Sequence, residues 1–389
     1  MRAIRILADD LTGALDTAGC FATAESPLPV VFDPALVPEA KSCAVSTGSR
    51  DLSESDAVAA IDPFLPILPG HEVAFKKIDS LLRGHIAAEI AHHLRRGDFD
   101  TAVIAPAFPA LDRMTRNGRQ WAKLAGQQGY HVVGPDLVKD FARFGIDLKR
   151  GLPGRHAGSP QVYLVDAETD DDLKDIVDSG IRGGRVLWCG CAGLAEVLAG
   201  SGNQYAAPLA DRVLVICGTR HSVAQLQIEY LCSSERSACV ALNLDYDVAA
   251  AAHTINGRLR SGRWATLAAD FPELSADAGR AALAGVMKAL LPKLDRPDAL
   301  IVMGGDTLAI CCGALDAKSL AVRGLLARGI PVSEFSDGAW KGMTVISKSG
   351  AFGAEDILAR IMEMTGTIGG DRNVTPSRQS RPKQKAPSH

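Results

Sequence analysis

Two adjacent carboxylates, Asp9 and Asp10, follow a short apolar run, Ile4 to Leu7, and precede Thr12-Gly13. At the end of a strand, one of them can accept hydrogen bonds from ligand hydroxyls or take the proton of an attacking alcohol, while the other caps the helix that begins near Thr12. The plainer alternative makes both of them caps and turn formers. A second concentration, Lys76-Lys77-Ile78-Asp79-Ser80-Leu81-Leu82-Arg83-Gly84, puts two lysines, an arginine, a carboxylate and a hydroxyl after another β-type run. Mixed charge of this kind suits a ligand carrying both a carboxylate and hydroxyls, because arginine grips a carboxylate bidentately and aspartate accepts from hydroxyls. Arg50, closing Ser46-Thr47-Gly48-Ser49-Arg50, can join that cluster. The loop Ala105-Pro106-Ala107-Phe108-Pro109, with Arg113, Asn117 and Gly118 downstream, is stiff enough to hold polar groups over a sheet.

The second half of the chain carries glycine turns instead. Cys217-Gly218-Thr219-Arg220-His221-Ser222, Met303-Gly304-Gly305-Asp306-Thr307 and Ser347-Lys348-Ser349-Gly350-Ala351-Phe352-Gly353 each follow an apolar run. Backbone N–H groups and hydroxyls at helix starts are what a phosphate needs. His221 serves equally as a helix-start hydrogen bonder or as a ligand contact. Residues Gly342 to Ser349 come one glycine short of a Walker A loop, and their middle, Thr344 to Ile346, reads as a strand where that loop needs an open turn. No G-x-G-x-x-G follows the first strand, which speaks against a dehydrogenase. No metal site is expected: Cys189-x-Cys191 and Cys311-Cys312 lack partner pairs at zinc spacing, and His92-His93 falls in an amphipathic helix.

The elements that must present these groups alternate regularly. Ile4–Leu7, Val30–Phe32, Ser42–Ser46, Val73–Lys76, Thr101–Ala105, Val162–Val165 and Val186–Cys189 read as strands, with crossover helices at Ser53–Ile61, Arg83–Arg95 and Gly193–Leu198. A breaker-rich stretch from Ala199 to Arg212 divides them from a second βα series at Val213–Cys217, Ser237–Leu242, Ala299–Met303, Val332–Phe335 and Met343–Ser347. The expected fold is therefore α/β, with two domains at 1–205 and 206–368, each a mostly parallel sheet flanked by helices, the active site in the cleft between them, and a disordered basic tail at 369–389. A length of 389 residues suits two cores. A net charge of -3 excludes a phosphate-neutralising surface and hence nucleic acid as a partner. The nine cysteines, scattered among apolar residues, read as buried reduced thiols. No apolar run is long enough to span a membrane, and the chain start lacks a signal peptide, so a cytoplasmic location is expected. On general grounds a homodimer is the commonest assembly.

Ala8-Asp9-Asp10-Leu11-Thr12-Gly13-Ala14-Leu15-Asp16-Thr17, Lys77 to Gly84, Gly304 to Thr307 and Gly350 to Gly353, taken in that order, resemble the four-carbon acid sugar kinase family. The resemblance implies a sugar-acid-binding N-terminal domain, a nucleotide-binding C-terminal domain and magnesium-assisted transfer from ATP to the 4-hydroxyl of a threonate, erythronate or 3-oxo-tetronate. By matching position it places the acid at Asp9 or Asp10, Arg50, Lys77, Ile78, Asp79 and Ser80, and ATP at His221, Ser222, Gly304, Gly305, Asp306, Thr307 and Gly350. On this reading Lys77, Arg50 and Arg83 hold the carboxylate, Asp9, Asp10 or Asp79 takes the proton, and closure of the cleft excludes water. The alternative is a binding protein that senses a sugar acid without turning it over. Three positions depart from the family, which often has serine at His221, glycine at Asp112 and serine at Cys191. The nucleotide domain is also short around Ser233 to Ala252.

Overall fold

A computed structural model describes residues 3–38, 42–124, 126–153, 161–179, 185–200, 204–205, 210–233, 237–243, 246–261, 264–269, 271 and 273–364. The expected tail, and residues 201–203 and 206–209 of the expected linker, lie outside the described residues. The first half runs β1 (Ile4–Ala8), α1 (Leu11–Phe21), β2 (Leu28–Val31), β3 (Cys43–Ser46), α2 (Glu54–Ile61), β4 (Val73–Lys77), α3 (Ile86–Arg95) and β5 (Thr101–Ala105). It continues through β6 (Arg113–Arg116), β7 (Arg119–Lys123), β8 (Tyr130–Val133), α4 (Leu137–Ala142), β9 (Leu148–Arg150), β10 (Gln161–Leu164), α5 (Asp170–Asp178), β11 (Val186–Gly190) and α6 (Ala192–Ala199).

Strands β1, β4 and β5 are buried along their whole length, so their sequences are mostly apolar rather than alternating, with Arg5, Lys76, Lys77 and Thr101 as the buried polar exceptions. Helix starts follow local chemistry. Ser53 caps α2 through the Asp56 N–H, and Thr169 and Asp172 form a capping box on α5. The third helix begins three residues later than the expected Arg83. Asp79 accepts from the N–H groups of Leu81 and Arg83, while Leu82 and Gly84 take positive φ of 61° and 86°, so the chain turns before it can coil. Strands β6, β7 and β8 form a small antiparallel sheet apart from the main one. Its first turn is Asn117-Gly118, both at positive φ, as a two-residue hairpin requires.

The second half runs β12 (Val213–Cys217), α7 (Ser222–Ser233), β13 (Ser237–Leu242), α8 (Val248–Arg260), β14 (Trp264–Ala269), α9 (Ala276–Leu290), β15 (Ala299–Met303), α10 (Gly305–Ala314), β16 (Ser319–Ala327), β17 (Ile330–Phe335), β18 (Thr344–Lys348) and α11 (Ile357–Met364). Each half has its parallel strands, β9-β10-β5-β11-β4-β1-β3-β2 in one and β18-β15-β12-β14-β13 in the other. They are not separate sheets. The antiparallel hairpin β16–β17 joins them, β17 pairing with β18 and β16 with β2 in the register Ser319↔Val31 to Val322↔Leu28, which makes one 15-stranded sheet. One hydrophobic core, containing Leu15 and Leu194 as well as Leu300 and Leu308, runs along one face across the junction, and each half has its own core on the other face. Helix α1 sits at the junction, touching α6, α10 and β16.

The expectation of reduced cysteines needs one correction. Seven are free and buried, but Cys232 and Cys239 are joined by a disulfide, because the last turn of α7 and the start of β13 bring their Cα atoms to 5.9 Å. Among the described residues no helix is long and apolar enough to cross a membrane.

Candidate active site

Both sets of chemically suggestive residues lie at the carboxyl ends of parallel strands, where open α/β sheets bind ligands. The ends of β1, β3 and β4 supply the charged cluster, and the ends of β12, β15 and β18 supply the glycine turns. They face one cavity of about 720 Å³.

Arg50 organises the charged side. Its Nε and Nη2 reach the two oxygens of Asp9 at 3.0 and 2.7 Å, and Nη2 and Nη1 reach those of Asp10, each at 2.7 Å. Asp79 lies at 3.9 Å from Nη1. Asp10 also caps α1, accepting from the Gly13 N–H at 3.0 Å and from the Thr12 hydroxyl at 2.6 Å. The pair is thus electrostatically split. Burial, reinforced by the charge of Asp10, lifts the Asp9 carboxyl above its ordinary value despite Arg50. Burial acts on Asp10 in the same direction, but Arg50, Lys77 and Thr12 outweigh it and hold that carboxyl below. Asp79 is also held below its ordinary value: burial opposes, and the fork it forms with Arg83, at 2.9 Å on each oxygen, wins with help from Arg50.

Lys76 and Lys77 divide their work. Lys76 is turned away from the cavity into a buried ion pair with Glu89 at 2.5 Å, which Ser49 completes at 2.7 Å. Lys77 lines the cavity, its Nζ donating to the Ile78 carbonyl at 2.8 Å. Ile78 itself packs in the core of the first half, so only its backbone belongs to the site. Ser80 lines the cavity and accepts from Arg113, which reaches in from β6.

On the other side the three turns close around Thr219. A methyl group placed at Gly350 would come within 2.8 Å of the Thr219 Oγ1, one at Gly304 within 3.2 Å of its Cβ, and one at Gly218 within 2.8 Å of the Thr307 Oγ1. Gly304 has φ +104°, which only glycine adopts readily, and it sends the chain into α10. Buried Gln227 of α7 fixes the last turn by donating to the carbonyls of Phe352, Gly353 and Ala354 at 2.9, 2.9 and 3.0 Å. His221 uses its Nδ1 to accept from the Val223 N–H, capping α7; Ser222 begins the helix and does not line the cavity. Lys348 is buried beside these turns, and burial lowers its ammonium to about 8. The two sides touch at Gly305, where an added Cβ would sit 3.0 Å from the Thr12 hydroxyl and 3.6 Å from Asp10.

Of the expected site residues, Asp9, Asp10, Arg50, Lys77, Asp79, Ser80, Arg83, His221 and Gly304 to Thr307 with Gly350 converge on this cavity. Two departures from the family pattern have local explanations. Asp112 sits at φ +54°, a left-handed position that favours glycine, with Lys123 and Tyr130 bonded to its carboxylate. Cys191 donates its thiol to the carbonyls of Pro106 and Ala107, as a serine hydroxyl there would. Three contributors escaped the sequence reading: Asp16 and Arg280, which line the cavity, and Gln227, whose role depends on a loop 125 residues away. The i, i+4 spacing of Thr12 and Asp16 on one helix face is the signal that could have found Asp16.

A charged surface on one half and glycine turns on the other meet over one cavity, an arrangement suited to a phosphotransferase. Comparison with known proteins gives the family. Residues 4–146 match the model of the sugar-binding N-terminal domain and residues 214–358 that of the nucleotide-binding C-terminal domain. A D-threonate kinase of Bordetella bronchiseptica is 31% identical over 92% of this chain and 96% of its own length. One from Salmonella typhimurium is 24% identical over 91% and 96%. Solved structures from Salmonella typhimurium LT2 and from Haemophilus influenzae, the latter of the DUF1537 family, share the fold with TM-scores of 0.72 and 0.66, each at 19% identity, covering 92% and 94% of this chain and 98% and 100% of theirs. The chain belongs to the four-carbon acid sugar kinase family and is an ATP-dependent sugar acid kinase.

Proposed function

We propose that this chain transfers the γ-phosphoryl group of ATP to the C4 hydroxyl of a four-carbon sugar acid, D-threonate first among them, since that is the acid named for its relatives. The contact of Gly305 with Thr12 and Asp10 carries the reading, because it sets the first phosphate-cradling turn against the helix cap that faces the acceptor. Residues 1–205 hold the acid and 206–368 the nucleotide. Asp10 orients the terminal hydroxyl and receives its proton. Arg50 and Arg83 are engaged by Asp10, Asp9 and Asp79, so they act by fixing those carboxylates, and Lys77 with Ser80 meets the acid. The backbone of the turns at His221, Gly304 to Thr307 and Gly350 receives the phosphates.

Phosphoryl transfer asks for alignment and charge neutralisation more than for covalent chemistry. Four of the cavity's carboxylates, Asp9, Asp10, Asp79 and Asp306, are each drawn to an arginine, which suits a magnesium ion held mainly by phosphate oxygens and water. That ion would neutralise the phosphate charge.

An ADP-release assay with magnesium and ATP, run against D- and L-threonate, D- and L-erythronate and their 3-oxo forms, tests the reading. Release with D-threonate above the others supports it. Tight binding of an acid with no ADP released by any of them would point to a sensor.

A further inference from the structure

The floor of the cavity holds two groups that the kinase reading leaves without a task. Asp16 lies on α1 one turn beyond Thr12, about 6 Å further from the contact with Gly305. It lines the cavity, and its Oδ1 is sealed from solvent with no hydrogen-bond partner among the described residues. A buried oxygen left in this way costs free energy unless a ligand supplies the donor. Arg113 enters from the other side, on β6, and lines the same floor. Among the described residues its guanidinium pairs with no carboxylate and donates to Ser80 alone, whereas Arg50 and Arg83 are both forked onto aspartates. Burial raises the Asp16 carboxyl to about 6, against the pull of Lys77 and Arg113.

Resting on the proposed function, we infer that the floor reads the acid end of the substrate: Arg113 binds its carboxylate, and Asp16 accepts a hydrogen bond from the hydroxyl on the adjacent carbon. A site that hydrogen-bonds a hydroxyl rejects the analogue without it, because its own polar group is then left unpaired. Asp16 is thus a specificity-determining residue for 2-hydroxy acids, and Arg113 a determinant of affinity for the acid.

The test compares D-threonate with 3,4-dihydroxybutanoate, its 2-deoxy analogue, in the full-length protein. In the wild type, loss of the 2-hydroxyl should lower kcat/KM by roughly 100-fold, the effect of leaving one buried acceptor unpaired. Asp16→Asn, which keeps the shape and removes a buried charge, should shrink that gap to roughly tenfold or less, acting mainly on KM for the acid. Arg113→Met should raise KM for both acids and leave KM for ATP unchanged. An unchanged preference in Asp16→Asn, or an unchanged acid KM in Arg113→Met, overturns the inference. If the wild type releases no ADP with D-threonate, the proposed function fails for that acid. Calorimetric binding of D-threonate then reads the floor directly: weaker binding in Arg113→Met than in the wild type sustains it, and equal or absent binding overturns it.

Discussion

Arg50 touches Asp9, Asp10 and Asp79, so the electrostatics of the charged side of the cavity depend on one guanidinium. Lysine cannot reproduce its fork. Arg50→Lys should therefore lower kcat with little effect on KM for ATP, measured by steady-state kinetics. Asp10→Asn should lower kcat by roughly 10²- to 10⁴-fold, the range for a lost general base, and full turnover in that variant would remove Asp10 from the proton-accepting role. His221→Ser, by contrast, should leave KM for ATP within about threefold, because serine caps a helix as well as the imidazole does. At this scale the sequence reveals groups that are clustered along the chain. Asp9-Asp10 and Lys77 to Arg83 can be read directly, and so can the mixed charge they bring together. What cannot be read is how each charge is used: Lys76 and Lys77 are neighbours, yet alternation along β4 sends one to Glu89 and the other to the cavity.

Helix α7 illustrates how elements away from the chemistry hold it in place. Gln227 bonds three successive carbonyls of the 350–354 turn, and Gln227→Leu should raise KM for ATP roughly tenfold while leaving KM for the acid unaltered, as expected if lost hydrogen bonds loosen only the nucleotide side. The ion pair between β4 and α3 has a structural role instead. Removing one partner, as in Glu89→Ala, strands the Lys76 ammonium in the core and should cost about 3–5 kcal/mol in denaturant unfolding. Most parallel strands and their crossover helices are legible because burial on both faces demands short, mostly apolar runs. Strand β16 is not. Its sequence, Ser-Leu-Ala-Val-Arg-Gly-Leu-Leu-Ala, includes a charge and a glycine, its register shifts twice, and its partner β2 lies nearly three hundred residues earlier, so nothing local announces the pairing.

At the scale of the whole molecule, the halves meet through the sheet, through α1 and through Arg328, which extends from the β16–β17 turn to Glu196 of α6 and Asp170 of α5, each at 3.2 Å. Burial raises Glu196 to about 7 against the pull of Arg328, and Asp16 to about 6. Both bind their proton more tightly folded than unfolded. Their contribution to stability is full below their ordinary values and is lost as pH rises through about 6 and 7. Thermal melts should show that loss, and Glu196→Gln should flatten its upper part. The four-residue register between β2 and β16 has a further consequence for how such a protein can be taken apart or inherited. A chain break between Tyr205 and Ala210 leaves the pairing of β2 with β16 in place. Fragments ending and starting there should be insoluble when made singly, each with a bare strand edge, and should reassemble into an active enzyme when made together. Halves that complete each other's sheet are poor candidates for exchange with foreign partners, so the two halves are bound to travel as a pair.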